Sequence, residues 1–155
     1  MSLVVTLVTL AEGAASDSRG GITLVAANPQ FLTAERFPAQ LAPVFYAAVE
    51  DGEEGAQPPS IVPGRVVSLK LQVTAPDGEV LYFFQNQQSV LANPHPVHPI
   101  RLQVLVPVQF SASKSGDYTI SARLAIALPG GEQDEVVATR RIRVIEQTPV
   151  KSEPI

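Results

Sequence analysis

The amino-acid sequence predicts an all-β fold, an antiparallel immunoglobulin-like β-sandwich of about eight strands. Three observations predict it: apolar and polar residues alternate along several segments, turn motifs rich in Gly and Pro separate those segments, and no segment sustains a helical pattern. The one stretch with helical spacing, residues 32–42, contains Pro38, which interrupts a helix. Strands joined by short turns, without helices, are typical of sandwiches and barrels.

The period-two alternation is clearest at Val67, Leu69, Leu71 and Val73, because the residues between them are polar. The predicted strands are 3–11, 21–27, 40–49, 65–75, 79–85, 100–110, 117–128 and 134–146, with a short additional piece near 29–34. Pro107 cannot donate a ladder hydrogen bond, so it places 100–110 at a sheet edge or at a bulge. Arg140 interrupts the apolar pattern of the last strand and predicts a bulge or a strand end.

Long strands of varying length, and the turn that leads into the strand 117–128, favour a sandwich over a barrel. The segment 75–79, APDGE, predicts a hairpin with Asp-Gly at its tip, and Pro129-Gly130-Gly131 predicts another. The segment SGDY, which ends at Tyr118, is similar to the tyrosine corner of immunoglobulin-like domains, whose last two strands also form a hairpin. Residues 51–64 are predicted to form a long exposed loop.

The composition indicates one globular domain, predicted over residues 1–146, followed by an extended tail over 147–155. The net charge of −4 does not favour nucleic-acid binding, and the absence of cysteine excludes disulfides and thiolate chemistry. No apolar run is long enough to span a bilayer. A cytoplasmic location is therefore the default, and export through the apolar N-terminal segment is the alternative.

Both histidines lie in the segment NPHPVHPI, residues 93–100. Each precedes a proline, which favours extended or polyproline geometry, and neither geometry brings His95 and His98 together around one metal ion. The segment is therefore predicted to be a stiff connector. Its P-x-x-P spacing, from Pro96 to Pro99, leaves docking in an aromatic groove as an alternative.

The acidic cluster of Glu50, Asp51, Glu53 and Glu54 does not have the spacing of a calcium-binding EF-hand loop. A solvated acidic loop is its simpler interpretation. The segment 111–114 matches S-x-x-K, but it lies between strands and has no partner motif. No catalytic residue, metal site or cofactor is predicted, so the chain is not expected to be an enzyme.

Two groups of side chains are candidates for a contact surface. The first is the run Tyr82, Phe83 and Phe84, which places an aromatic ring on both faces of one strand. The second is the pair Arg141 and Arg143, which alternation places on the solvent face of the last strand. The arginines have two interpretations: they contact an anionic partner, or they protect an edge strand from aggregation, which we favour.

Residues 5–38, VTLVTLAEGAASDSRGGITLVAANPQFLTAERFP, combine two apolar strands with a Gly-rich turn and end in Phe-Pro. A hairpin of the form V-x-A-P-D-G-E-V follows at 73–80. In these features the N-terminal half resembles a family of small bacterial all-β proteins known only as a domain of unknown function. The resemblance implies an immunoglobulin-like sandwich and supplies no catalytic residues.

The sequence thus favours a non-catalytic interaction or scaffold module that acts through a surface patch or a sheet edge. Its expected partner is another protein or a second copy of the chain, with no nucleic acid or membrane partner. The alternative is a β-sandwich that binds a small ligand or a carbohydrate. The scarcity of aromatic rings, with no Trp and only three Tyr, argues against that alternative.

Overall fold

The computed structural model describes residues 3–16, 21–25, 27, 29, 31–52, 58–91 and 100–147. These residues contain strands and no helix, which confirms the prediction of an all-β fold. The strands in chain order are β1 (Leu3–Ala11), β2 (Gly13–Ser16), β3 (Ile22–Val25), β4 (Phe31–Ala34), β5 (Ala39–Leu41), β6 (Val44–Asp51), β7 (Val66–Thr74), β8 (Val80–Ser89), β9 (Leu102–Pro107), β10 (Phe110–Ala112), β11 (Gly116–Ala127) and β12 (Gln133–Glu146).

The largest sheet has five strands in the order β4-β12-β11-β7-β8. Two of its pairs are antiparallel hairpins, β7 with β8 and β11 with β12, as the turn motifs predict. At one edge, however, β4 runs parallel to β12, with Phe31 opposite Arg143. The prediction of purely antiparallel pairing is therefore wrong at this edge, where an early segment of the chain joins its last strand.

A second sheet has the order β1-β6-β9, and β5 pairs with β10 at its end. The predicted strand 40–49 is thus divided into β5 and β6, and 100–110 is divided into β9 and β10. The Val108 amide donates a hydrogen bond of 2.8 Å to the Pro43 carbonyl, which links the two strand pairs across the break. Pro107 ends β9, an edge strand of its sheet, as predicted.

The predicted strand 21–27 corresponds to β3, which pairs with the unpredicted strand β2 in a small hairpin. The strand β2 follows β1 after one residue, Glu12. The Glu12 amide donates a hydrogen bond of 3.0 Å to the Val25 carbonyl. After this hairpin the chain continues to β4. The N-terminal part of the chain thus contributes β1 to the three-stranded sheet and β4 to the five-stranded sheet. The predicted short piece near 29–34 corresponds to β4.

The predicted turns have the expected geometry. In the β7–β8 turn, the Gly78 amide bonds the Ala75 carbonyl at 2.9 Å, and Gly78 has a φ of 92°, which favours glycine. The amide of Glu79 donates to the Asp77 carboxylate at 3.0 Å, and this hydrogen bond lowers the pKa of Asp77. In the β11–β12 turn, Gly130 and Gly131 both have positive φ.

One hydrophobic cluster joins the inner faces of the two larger sheets. The inward residues of β11 occupy its centre and are nearly or fully buried; they are Tyr118, Ile120, Ala122, Leu124 and Ile126. The opposite sheet contributes Phe45 and Val49 from β6, both fully buried. Because alternation along both strands presents one apolar face, two stacked layers bury these side chains together.

Tyr118 combines this burial with a specific hydrogen bond. Its hydroxyl donates to the Lys114 carbonyl at 2.6 Å, four residues earlier in the chain. Its ring packs against Phe110, with the ring centroids 5.5 Å apart. The geometry is that of a tyrosine corner, in which a buried ring fixes the turn that begins its strand.

The segment 51–64 is not the wholly exposed loop that its composition predicts. Ser60 and Ile61 are buried, and both of their amides donate to the Asp51 carboxylate, at 2.8 and 3.0 Å. The Ser60 hydroxyl also bonds the buried Asp134 carboxylate at 2.5 Å. One end of this segment is therefore held against the start of β12, because buried polar groups need partners.

Arg140 neither ends nor bulges the last strand. The pairing of β12 with β11 continues without a shift through Arg140, which lies opposite Ile120. Arg140 is half-buried in the inward register of β12, between Ala138 and Ile142. The prediction of an interruption is wrong, because a long charged side chain in an inward register can lie along apolar surface without breaking the ladder.

Candidate binding surface

The three predicted aromatic residues lie on β8, the last strand of the five-stranded sheet. Tyr82 and Phe84 are half-buried and pack against the hydrophobic cluster, whereas Phe83 is 57% exposed on the opposite face. The prediction that at least one ring is exposed is therefore met by Phe83. The other two rings help to bury the core and are not available as an open surface.

Arg141 and Arg143 are exposed on the outward face of β12, as alternation predicts. They do not lie beside Phe83, because β11 and β7 separate β12 from β8. Three strand spacings correspond to about 14 Å. The five predicted contact residues therefore contribute to two separate regions of the outward face and to the core.

Arg143 forms an ion pair with its neighbour on β11. Its Nε donates to Asp117 Oδ1 at 3.0 Å, and this hydrogen bond lowers the pKa of Asp117 and raises that of Arg143. The prediction that β12 is an edge strand is wrong at Arg143, because Arg143 and Val144 pair with both β4 and β11. Protection of an open edge is therefore not the role of Arg143.

The outward face beside Phe83 carries polar side chains in two neighbouring rows. In one row, Phe83, Gln72, Ser121 and Thr139 lie opposite one another on β8, β7, β11 and β12. In the next row, the corresponding residues are Gln85, Lys70, Arg123 and Val137. A shallow depression of about 220 Å³ lies where the rows meet; its lining residues are Lys70, Leu71, Gln72, Phe83, Ser121 and Arg123.

The sequence does not identify Lys70, Gln72, Ser121 and Arg123 as a group. Alternation alone identifies each of them as an outward residue of its strand. Their proximity depends on the register in which β7 pairs with β11, and residues 70 and 123 are far apart in the chain. Only the strand order and register could have brought them together.

The charge pattern within the depression is unusual. Lys70 and Arg123 lie directly opposite each other on adjacent antiparallel strands, and both are exposed. Neither forms a salt bridge with any described residue. Like charges in directly opposed positions are destabilising, so the fold does not explain this pair.

The free edge of β8 is a second surface feature. This strand has ten residues, and it ends the sheet order within the described part of the chain. No charged residue or proline occurs from Val80 to Ser89. Its one irregularity is a register shift next to Leu81, near the start of the strand. Natural edge strands usually carry charges, prolines or bulges that prevent pairing with other chains.

The remaining predicted candidates do not form a site in the described residues. Glu50 pairs with Arg101 at 2.7 Å, and Asp51 holds the amides of Ser60 and Ile61. His95, His98, Glu53 and Glu54 lie outside the described residues. Within the described ranges, no group of three or more potential metal ligands occurs. Those ranges also contain no helix that is long and apolar enough to cross a membrane.

Comparison with known proteins supports the all-β class of the fold. No family model matches the chain, and no curated protein matches it. Among solved structures, the crystal structure of the C-terminal domain of wzt is similar, with a TM-score of 0.50 and 16% sequence identity. The alignment covers 99% of this chain and 83% of that chain. At this identity the similarity concerns the fold alone.

Proposed function

We propose that this chain is a non-catalytic interaction module with an immunoglobulin-like sandwich fold. The hydrophobic cluster shared by two sheets, the tyrosine corner at Tyr118 and the final β11–β12 hairpin support that fold. If β5–β6 and β9–β10 are each counted as one bent strand, the framework has seven strands, close to the eight that the sequence predicts. The small hairpin and β4 are additions to it.

The observation that carries the proposed function is the neutral, ten-residue edge of β8. An exposed edge presents unpaired amide and carbonyl groups that can hydrogen-bond a further strand. The partner that we propose is β8 of a second copy, paired antiparallel. No charged residue lies between Val80 and Ser89. Two copies paired along β8 would therefore not place like charges against each other, although the chain has a net charge of −4. The amide side chains of residues 85–88 can also hydrogen-bond to amide side chains of the partner strand across it.

Sedimentation equilibrium tests this function with two variants of equal charge. In the first, Gln85→Glu and Gln87→Glu place two carboxylates on the edge strand. In the control, Gln72→Glu and Gln133→Glu add the same charge on β7 and β12. Edge pairing predicts self-association of the natural chain, weakened at least about tenfold in the first variant and little changed in the control.

Two outcomes would contradict edge pairing. One is a natural chain that stays monomeric at every concentration tested. The other is equal weakening in both variants, which would indicate overall charge instead of the β8 edge.

A second function, binding of a small ligand or carbohydrate, is favoured by the depression beside Phe83. An exposed aromatic ring next to amide and hydroxyl groups can stack on a sugar ring and hydrogen-bond its hydroxyls. Titration of the chain with oligosaccharides, followed by NMR, tests this function. Phe83→Ala should abolish the shifts, whereas Val137→Ala, at the far end of the neighbouring row, should preserve them. If the NMR chemical-shift changes persist in Phe83→Ala, the depression is not the binding site.

A further inference from the structure

Lys70 and Arg123 form a pair of cations that the fold does not require. Opposed residues of an antiparallel pair have Cβ atoms about 5 Å apart, so their charged ends can reach one point in space. The neighbours in the same row are Gln85 and Val137, which carry no charge. Elsewhere on this face, the cation of Arg143 is balanced by Asp117 at 3.0 Å.

An anion held between the two cations would convert their repulsion into attraction. A guanidinium group can bind a carboxylate through two parallel hydrogen bonds, and an ammonium group adds a compact positive charge. The remaining lining side chains are suited to a sugar: Phe83 supplies an apolar ring, and Gln72 and Ser121 supply hydrogen-bonding groups.

We propose that the depression between β7, β8 and β11 binds an acidic saccharide. Its carboxylate lies between Lys70 and Arg123, and a sugar ring of the same ligand stacks on Phe83. This inference rests on the second proposed function and adds the charge of the ligand to it. The chain as a whole is acidic, so the attraction acts at short range and weakens as salt screens it.

Calorimetric titration with trigalacturonate and with its methyl ester, which lacks the charges, tests the inference at low ionic strength. The natural chain should bind the acid about tenfold more tightly than the ester. Lys70→Gln and Arg123→Gln should each remove most of that preference, because each lowers the affinity for the acid more than the affinity for the ester. Arg141→Gln, which removes an exposed arginine of the same face outside the depression, is the matched control and should bind like the natural chain.

The possible results distinguish a role for the charge of the ligand from saccharide binding as such. Equal affinity for acid and ester, with loss of both in Phe83→Ala, would overturn the role of charge and keep a saccharide site. A preference for the acid that Arg141→Gln reduces as much as Arg123→Gln would indicate diffuse attraction and overturn the specific site. Binding of neither probe by the natural chain would overturn both. Thermal unfolding of every variant confirms that it is folded.

Discussion

Along β11, inward and outward side chains alternate, and the two sets differ in what they contact. Ile120, Ala122 and Leu124 are buried in the shared core, where close packing fixes the position of each atom. Between them, Ser121 and Arg123 face outward; Ser121 lies opposite Gln72 and Thr139, and Arg123 lies opposite Lys70 and Val137. One strand can therefore carry a stabilising inner face and a separate solvent face at single-residue spacing, because the two faces lie in different environments.

The strongest test of this separation substitutes neighbouring residues on the two faces. Ile120→Ala should lower the free energy of unfolding by about 2–5 kcal/mol, because it leaves a cavity in a fully buried position. Ser121→Ala, one residue further along, should change it by less than about 0.5 kcal/mol. Denaturant unfolding measures both values. Similar decreases in the free energy of unfolding in the two variants would show that the outward face also stabilises the fold.

The hydroxyl of Tyr118 tests the polar part of the inner face. Tyr118→Phe removes the hydrogen bond to the Lys114 carbonyl and should cost about 1 kcal/mol in the same measurement. Tyr82→Phe is a suitable control, because no described residue hydrogen-bonds the Tyr82 hydroxyl. If Tyr118→Phe lowers the free energy of unfolding no more than Tyr82→Phe does, the Tyr118 side chain stabilises the fold through packing alone.

On the outward face, removing one of the two opposed cations should stabilise the chain. Lys70→Gln is expected to raise the free energy of unfolding by about 0.3 kcal/mol at low salt, and high salt should reduce the gain. Lys114→Gln, which separates an ion pair of 3.5 Å with Asp77, should give no gain. A lower free energy of unfolding in Lys70→Gln would show that Lys70 stabilises the fold.

The smallest expected effect concerns the ion pair of Asp117. Because Arg143 lowers the pKa of Asp117 below 3.8, the folded chain favours the carboxylate more than the unfolded chain does. This stabilisation is complete above the unfolded pKa and is lost as the pH falls through the folded pKa. Unfolding curves of Asp117→Asn should therefore differ slightly from the natural chain at neutral pH and converge at a pH low enough to protonate Asp117 in both the folded and the unfolded chain. An equal difference at both pH values would contradict the pairing.

The inner faces could be predicted from the sequence because alternation depends on neighbours one or two residues away. The tyrosine corner, both hairpin turns and the edge position of Pro107 have the same local origin. The divided strands and the parallel pairing of β4 could not be predicted, since they depend on contacts between distant segments such as Pro43 with Val108. Lys70 and Arg123 illustrate the same limit for the candidate site: each is an ordinary outward residue until the register places them together.

The parallel pairing of β4 with β12 has a mechanical consequence. The ladder joins residues 31–34 to residues 143–146, and the Gln147 amide adds a further bond to the Ala34 carbonyl at 2.6 Å. Tension applied between the two ends of the chain would pull these strands in opposite directions along their length. Their hydrogen bonds would then be loaded in shear, all at once, and would resist extension more than a hairpin whose bonds open one after another.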